Sequence, residues 1–239
     1  MEVRVISNIT KEYPGMIKVV IYKEPKLFTR EAVIKRKADE VDDGSYCPKI
    51  SSLNRTKTLI KDIILCNDFE YFCTFTFDPK KVDSFNYNKC RNKISTWLHH
   101  QSDRSREAGK IFKYLIVPEQ HKSGRWHFHA LISGYTGSLR LAKVRTRSHR
   151  LIYNITSFRS GFTTCTPIDS SEAVANYVSK YITKEFIRFF NRRRFLCSRN
   201  LIRPVKTLNS NIFKSTLPIF RRCVGENHDS FEYVLPANQ

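Results

Sequence analysis

A chain of 239 residues with 42 Lys+Arg against 22 Asp+Glu carries a net charge of +20, the balance of a protein that meets a polyanion. Hydrophobic residues at 41% and aromatics at 13% supply a folded core, which excludes a disordered basic tail, and the length fits one domain with embellishments. No apolar run reaches the ~18 residues of a membrane span and no amino-terminal leader pattern is present, so the expectation is a cytoplasmic chain with no membrane partner.

In chain order, Val3–Ile9 and Ile17–Tyr22 alternate as short strands, and Lys35–Asp43 reads as a charged, exposed stretch. Leu59, Ile60, Ile63 and Ile64 stand at helical spacing and predict a short amphipathic helix over 56–66, with a strand over 71–77 after it. Tyr87, Cys90, Ile94, Trp97 and Leu98 share one face of a helix between Asp83 and Gln101, and Trp97 reads as core. Ser102–Gly109 reads as a polar linker. Seven cysteines (Cys47, Cys66, Cys73, Cys90, Cys165, Cys197, Cys223) show no Cys-x-x-Cys spacing. That argues against a disulfide framework or a zinc knuckle, and for thiols in a reducing cytosol.

The densest chemistry follows. Tyr114-Leu115-Ile116-Val117 runs through Pro118-Glu119 to a polar stretch, Gln120-His121-Lys122-Ser123-Gly124-Arg125, and then to the apolar strand 126–132. This predicts a hairpin with its turn near Lys122–Gly124. Strand alternation points His127 and His129 to one face and Phe128 to the other. Folding at that turn sets Glu119 across from His127, so two imidazoles and a carboxylate converge as a half-open divalent-metal site. A bare His-x-His is often only a polar stripe on a strand; the carboxylate in register raises the metal reading. Downstream, Asn176-Tyr177-Val178-Ser179-Lys180-Tyr181-Ile182-Thr183-Lys184 holds Tyr-x-x-Lys twice. On a helix Tyr177 and Tyr181 lie one turn apart on one face, as do Lys180 and Lys184. Alone this suits an amphipathic helix burying two tyrosines. Beside a metal site, a tyrosine can act as a nucleophile and a lysine can steady phosphate charge.

Taken in order, Phe72-Cys73-Thr74-Phe75-Thr76-Phe77-Asp78-Pro79, then Glu119 with His127-Phe128-His129, then Tyr177-x-x-Lys180-Tyr181-x-x-Lys184, the chain resembles the His-hydrophobic-His (HUH) endonucleases that initiate rolling-circle replication. Histidines before tyrosine match initiators; conjugative relaxases carry the tyrosine first. The flanks are most similar to initiators of small bacterial plasmids and single-stranded DNA phages, over roughly residues 58–186. The resemblance implies an α+β fold, a central antiparallel β-sheet with flanking helices and an HUH-endonuclease (RRM/ferredoxin-like) core, with the histidines on the middle strand and helices against one face. It implies metal ligands Glu119, His127 and His129 holding Mg²⁺ or Mn²⁺, and catalytic Tyr177, Tyr181, Lys180 and Lys184. It further implies nicking and joining of single-stranded DNA at a replication origin through a 5′-phosphotyrosine. A host polymerase would extend the free 3′-hydroxyl. No Gly-x-x-x-x-Gly-Lys-[Ser/Thr] occurs, so a host helicase is the expected partner for unwinding. Other readings are an HUH transposase-like strand transferase and a non-catalytic single-stranded DNA-binding protein.

Two basic segments complete the expectation. Arg140, Lys143, Arg145, Arg147 and Arg150, interleaved with Tyr153 and Phe158, suit a strand that tracks a phosphate backbone and stacks bases. Arg192, Arg193 and Arg194 open a run over 185–222 in which Glu185 is the sole acid, a surface that fixes register without reading bases. The organisation expected is an amino-terminal extension, partly strand, over 1–55, a catalytic domain over 56–190, and a basic DNA-binding segment over 191–239.

Overall fold

The computed structural model describes residues 4–28, 50–179, 194–211 and 219–235. In chain order these form β1 (Arg4–Tyr13), β2 (Met16–Phe28), α1 (Ile50–Leu65), β3 (Tyr71–Phe77), α2 (Tyr87–Glu107), β4 (Lys113–Gln120) and β5 (Trp126–Ser133). There follow β6 (Leu139–Arg145), β7 (Leu151–Ile155), β8 (Gly161–Pro167), α3 (Ser171–Val178), β9 (Leu196–Cys197), β10 (Val205–Leu208), β11 (Ile219–Val224) and β12 (His228–Val234). The architecture is α+β, with two antiparallel sheets. Two compact units divide it, Cys47–Ile202 and a second made of Met1–Tyr46 with Arg203–Gln239.

The larger unit holds a seven-stranded sheet in the order β6-β7-β8-β3-β5-β4-β9. Alternation along β3 and β5 decides what each face carries. Cys73, Phe75 and Phe77 on β3 and Phe128, Ala130 and Ile132 on β5 form one wholly apolar face. Helix α2 covers it with Tyr87, Cys90, Ile94, Trp97 and Leu98, the stripe expected from spacing. The Asn86 side chain caps that helix by accepting from Lys89 N–H at 3.1 Å. Trp97 is core, and its indole N–H donates to Ser157 Oγ at 2.9 Å. The helix runs on through the stretch read as a linker, because Ser105 is buried and donates to the Gly134 carbonyl, fixing another turn against the sheet.

The other face is apolar only at one end, where Leu115, Val117 and Leu131 meet Leu53, Ile60, Ile63 and Ile64 of α1 and Ala175 and Val178 of α3. Helices therefore sit on both faces of the sheet, not on one, since each face has an apolar portion that water must leave. The middle strand is β3, and the histidine strand β5 lies beside it. Cys73 and Cys165 stand opposite each other on β3 and β8 and are joined by a disulfide, a pairing that spacing in sequence did not flag.

The second unit is a five-stranded sheet, β10-β1-β2-β12-β11, in which strands from the two ends of the sequence pair. Val19 lies opposite Phe231 and Ile17 opposite Tyr233, and these four make its small apolar face. Both amino-terminal strands extend beyond their expected ends. The charged stretch 35–43 lies outside the described residues.

Candidate functional site

The β4–β5 hairpin has the register read from the sequence, with Glu119 paired to His127 and Val117 to His129. Its turn closes where Gly124 N–H donates to the His121 carbonyl at 2.8 Å, and Gly124 adopts φ +82°, a left-handed conformation that glycine takes without a Cβ clash. On the neighbouring strand Thr74 pairs with His129 and Thr76 with His127. Cross-strand partners share a face, so Glu119, His127, His129, Thr74 and Thr76 look the same way, opposite the Trp97 core.

The contacts among them are short. His129 Nε2 donates to Glu119 Oε2 at 2.7 Å, with the imidazole 7% exposed and the carboxylate 37%. Thr74 Oγ1 and His129 Nδ1 are hydrogen-bonded at 3.1 Å, and Thr76 Oγ1 and His127 Nδ1 at 3.2 Å. A third histidine, His121 in the turn, brings its ring centroid within 5.6 Å of that of His127. The His129 hydrogen bond holds the Glu119 carboxyl below its ordinary value, with the nearby His rings helping and burial partly opposing. Burial pushes the His127 imidazole below its usual range, and His121 and His129 push the same way. The site is thus built around an ionised carboxylate and a neutral His127.

The face pairs two imidazoles with a carboxylate, the donor chemistry of a borderline divalent cation. Each histidine already has its Nδ1 tied back by a hydroxyl, leaving Nε2 for the open side. Among the described residues, no three His, Cys, Asp or Glu side chains are gathered closely enough to hold an ion as they stand. The Glu119–His129 hydrogen bond occupies two of the atoms a cation would take.

Tyr177 sits in the last turn of α3, whose amino end is capped by Ser170 accepting from Ala173 N–H at 3.2 Å. Its ring is 45% exposed and packs edge-on against Phe72, centroids 5.4 Å apart at 87°. Phe72 in turn stacks on His129 at 5.9 Å with planes 5° apart. One β3 side chain therefore joins the tyrosine to the histidine strand. A cavity of about 630 Å³ opens beside them, lined by Phe72, Thr74, Arg150, Thr164 and Tyr177 among others. Phe162, 62% exposed, lies opposite Thr76 on β8 and offers an aromatic surface next to His127. Lys180, Tyr181 and Lys184 lie outside the described residues.

Of the basic positions, Arg140, Lys143 and Arg145 are exposed on β6, and Arg147 on the turn after it. Arg145 Nη1 donates to the His149 carbonyl at 3.1 Å. Arg150 is tied down, donating to the Pro167 carbonyl and pairing with Asp169 Oδ2 at 2.7 Å. Arg194 reaches α1, its Nη1 donating to Ser52 O at 2.9 Å and Thr56 Oγ1 at 3.0 Å. Arg192 and Arg193 lie outside the described residues. Phe158, expected among base-stacking aromatics, is 4% exposed and packs between Phe75 and Trp97 in the core. Tyr153 leans on Tyr71 at 6.5 Å.

Phe72, Thr74, Thr76, His121 and Phe162 were not singled out as site residues by sequence reasoning. The signal for three of them was present, since Phe72, Thr74 and Thr76 alternate with three residues of the buried face along a single strand. Among the described residues no helix is long and apolar enough to cross a membrane.

A family model for replication-associated proteins of the ORF2 type matches residues 70–186, from the start of β3 past the tyrosine helix. No curated protein and no solved structure matches the chain. Over the stretch that carries the β3–β5 hydrogen-bonded face and Tyr177, the chain is similar to replication-associated proteins, which supports a replication initiator family with DNA and the replication machinery as its partners.

Proposed function

We propose that this protein starts rolling-circle replication by nicking and rejoining single-stranded DNA at a replication origin, as an HUH-type tyrosine endonuclease. The observation that carries the reading is the convergence of Glu119, His127 and His129 on one sheet face, with Tyr177 joined to His129 through Phe72. Glu119, His127 and His129 would hold Mg²⁺ or Mn²⁺, which supplies charge for a non-bridging phosphate oxygen and orients the scissile bond.

The remaining steps belong to the chain's own groups. The Tyr177 hydroxyl attacks phosphorus, giving up its proton; the P–O3′ bond breaks, and the 3′-oxygen leaves as a hydroxyl once protonated. The 5′-phosphate stays on the tyrosine, which keeps the bond energy for a later 3′-hydroxyl to reseal the strand without a nucleotide cofactor. Tyr181 would take the second attack, and Lys180 or Lys184 would neutralise phosphate charge. Phe162, exposed beside His127, would stack a base next to the scissile phosphate. The exposed cations of β6 would hold the backbone that leads away from it.

The test is direct. Labelled single-stranded origin DNA incubated with the protein and Mn²⁺ should give a covalent protein–DNA adduct that EDTA prevents. Binding without an adduct would refute the enzyme and leave a single-stranded DNA-binding module.

A further inference from the structure

We infer that Thr74 and Thr76 are positioning residues for the cation site, each setting the ring orientation and the proton placement of one histidine. The inference rests on the metal reading given above. It starts from an asymmetry in β3, where Cys73, Phe75 and Phe77 are committed to the core while the intervening hydroxyls face the site.

Each threonine stands in register with one histidine and meets its Nδ1: Thr74 with His129 at 3.1 Å, Thr76 with His127 at 3.2 Å. A metal-ligating imidazole presents a lone pair on one nitrogen and needs a partner for the proton on the other, and that partner fixes the ring. A carboxylate could only accept that proton. A hydroxyl both donates and accepts, so it serves the ring in either state. In the metal-free chain, His129 Nε2 donates its proton to Glu119, and Nδ1 of a neutral ring then accepts from the Thr74 hydroxyl. When Nε2 gives its lone pair to a cation, the ring keeps its one proton on Nδ1, and the same hydroxyl turns to accept it. Thr76 offers His127 the same choice. Two threonines spaced by two on the strand next to a His-x-His are therefore the complement of that motif, one hydroxyl for each imidazole.

Valine keeps the β-branched shape of threonine and removes the hydroxyl. Thr74→Val, Thr76→Val and the double variant, with Thr74→Ser and Thr76→Ser as conservative controls, should be titrated with Mn²⁺ alone. Free Mn²⁺ is read by electron paramagnetic resonance on the full chain, without DNA. Each valine variant should bind Mn²⁺ about 10- to 100-fold more weakly. The serine variants, which keep the hydroxyl, should stay close to the parent protein. Melting in EDTA separates a folding defect from a site defect, since a merely structural role would give valine and serine variants whose Mn²⁺ affinities fall together with their stability. Unchanged Mn²⁺ binding by the double valine variant would overturn the inference and leave the metal reading intact. A parent protein that binds no Mn²⁺ would overturn both.

Discussion

Replacing Phe72 by Ala removes the ring that touches both Tyr177 and His129. Each aromatic contact is worth about 0.5–1.5 kcal/mol beyond area burial, so the two together hold the tyrosine to the histidine strand by about 1–3 kcal/mol. If that energy serves to place the Tyr177 hydroxyl, its loss appears in the rate of attack. At about 1.4 kcal/mol per factor of ten, Phe72→Ala should form the covalent adduct roughly 5- to 150-fold more slowly. Phe72→Leu, which keeps an apolar side chain there, should fall between. The assay is single-turnover adduct formation with saturating labelled single-stranded DNA and Mn²⁺, followed alongside Mn²⁺ binding so that disturbance of His129 is scored separately. An adduct rate within about twofold of the parent, with Mn²⁺ bound normally, would mean that Phe72 does not position the nucleophile.

Tyr177→Phe and Tyr181→Phe should each still nick but fail to recycle, and the double variant should form no adduct; loss of all nicking in one single variant would name the sole nucleophile. The metal-free chain should lose stability on acidification in two windows. His127 is held below its ordinary value of 6.5, so the unfolded chain takes up that proton first and stability falls as pH drops below about 6.5. Glu119 is held below 4.5, so its contribution is present above that pH and is lost as pH falls through its folded value. Melting curves in EDTA should show both limbs, and His127→Gln should flatten only the upper one; an unaltered upper limb would refute the burial argument. Gly161→Ala should destabilise the fold by about 2 kcal/mol or more, because an added Cβ would run into the Thr76 carbonyl and come within 2.9 Å of the Phe77 Cα; urea unfolding checks this. Changing Arg140, Lys143, Arg145 and Arg147 together to Gln should reduce the salt slope of single-stranded DNA binding by up to about 3, at 0.7 per lost phosphate contact. An unchanged slope would remove β6 from the DNA path.

What could be read from the sequence was local. The hairpin register came from two short strands and a glycine turn, and the α2 stripe came from helical spacing over Tyr87–Leu98. Strand 71–77 was placed at its observed ends. Long-range pairing was not legible. Val19 meets Phe231 across more than two hundred residues of chain, and alternation reveals that both are strand residues without naming the partner. Cys73 and Cys165 are 92 residues apart and carry no spacing signal for the same reason. Polar composition misled at Ser102–Gly109, where one buried serine keeps the helix going. Interleaved charge misled at Phe158, since a loop aromatic can turn inward as readily as out. At Thr74 and Thr76 the pattern was visible, but the purpose of a half-buried hydroxyl shows only when the neighbouring strand supplies an imidazole.

The strict alternation of β3, β4 and β5 makes the frame of these strands heritable as a unit. Every chemical residue has an immediate chain neighbour in the Trp97 core: Thr74 beside Phe75, His127 and His129 beside Phe128. Inserting or deleting a single residue within β5 would exchange the two sets, driving imidazoles into the hydrophobic layer and a phenyl ring into the cleft. Gene variants of this protein can therefore vary freely in the length of the β6–β7 turn, while the spacing inside the three central strands admits substitution but no change of length.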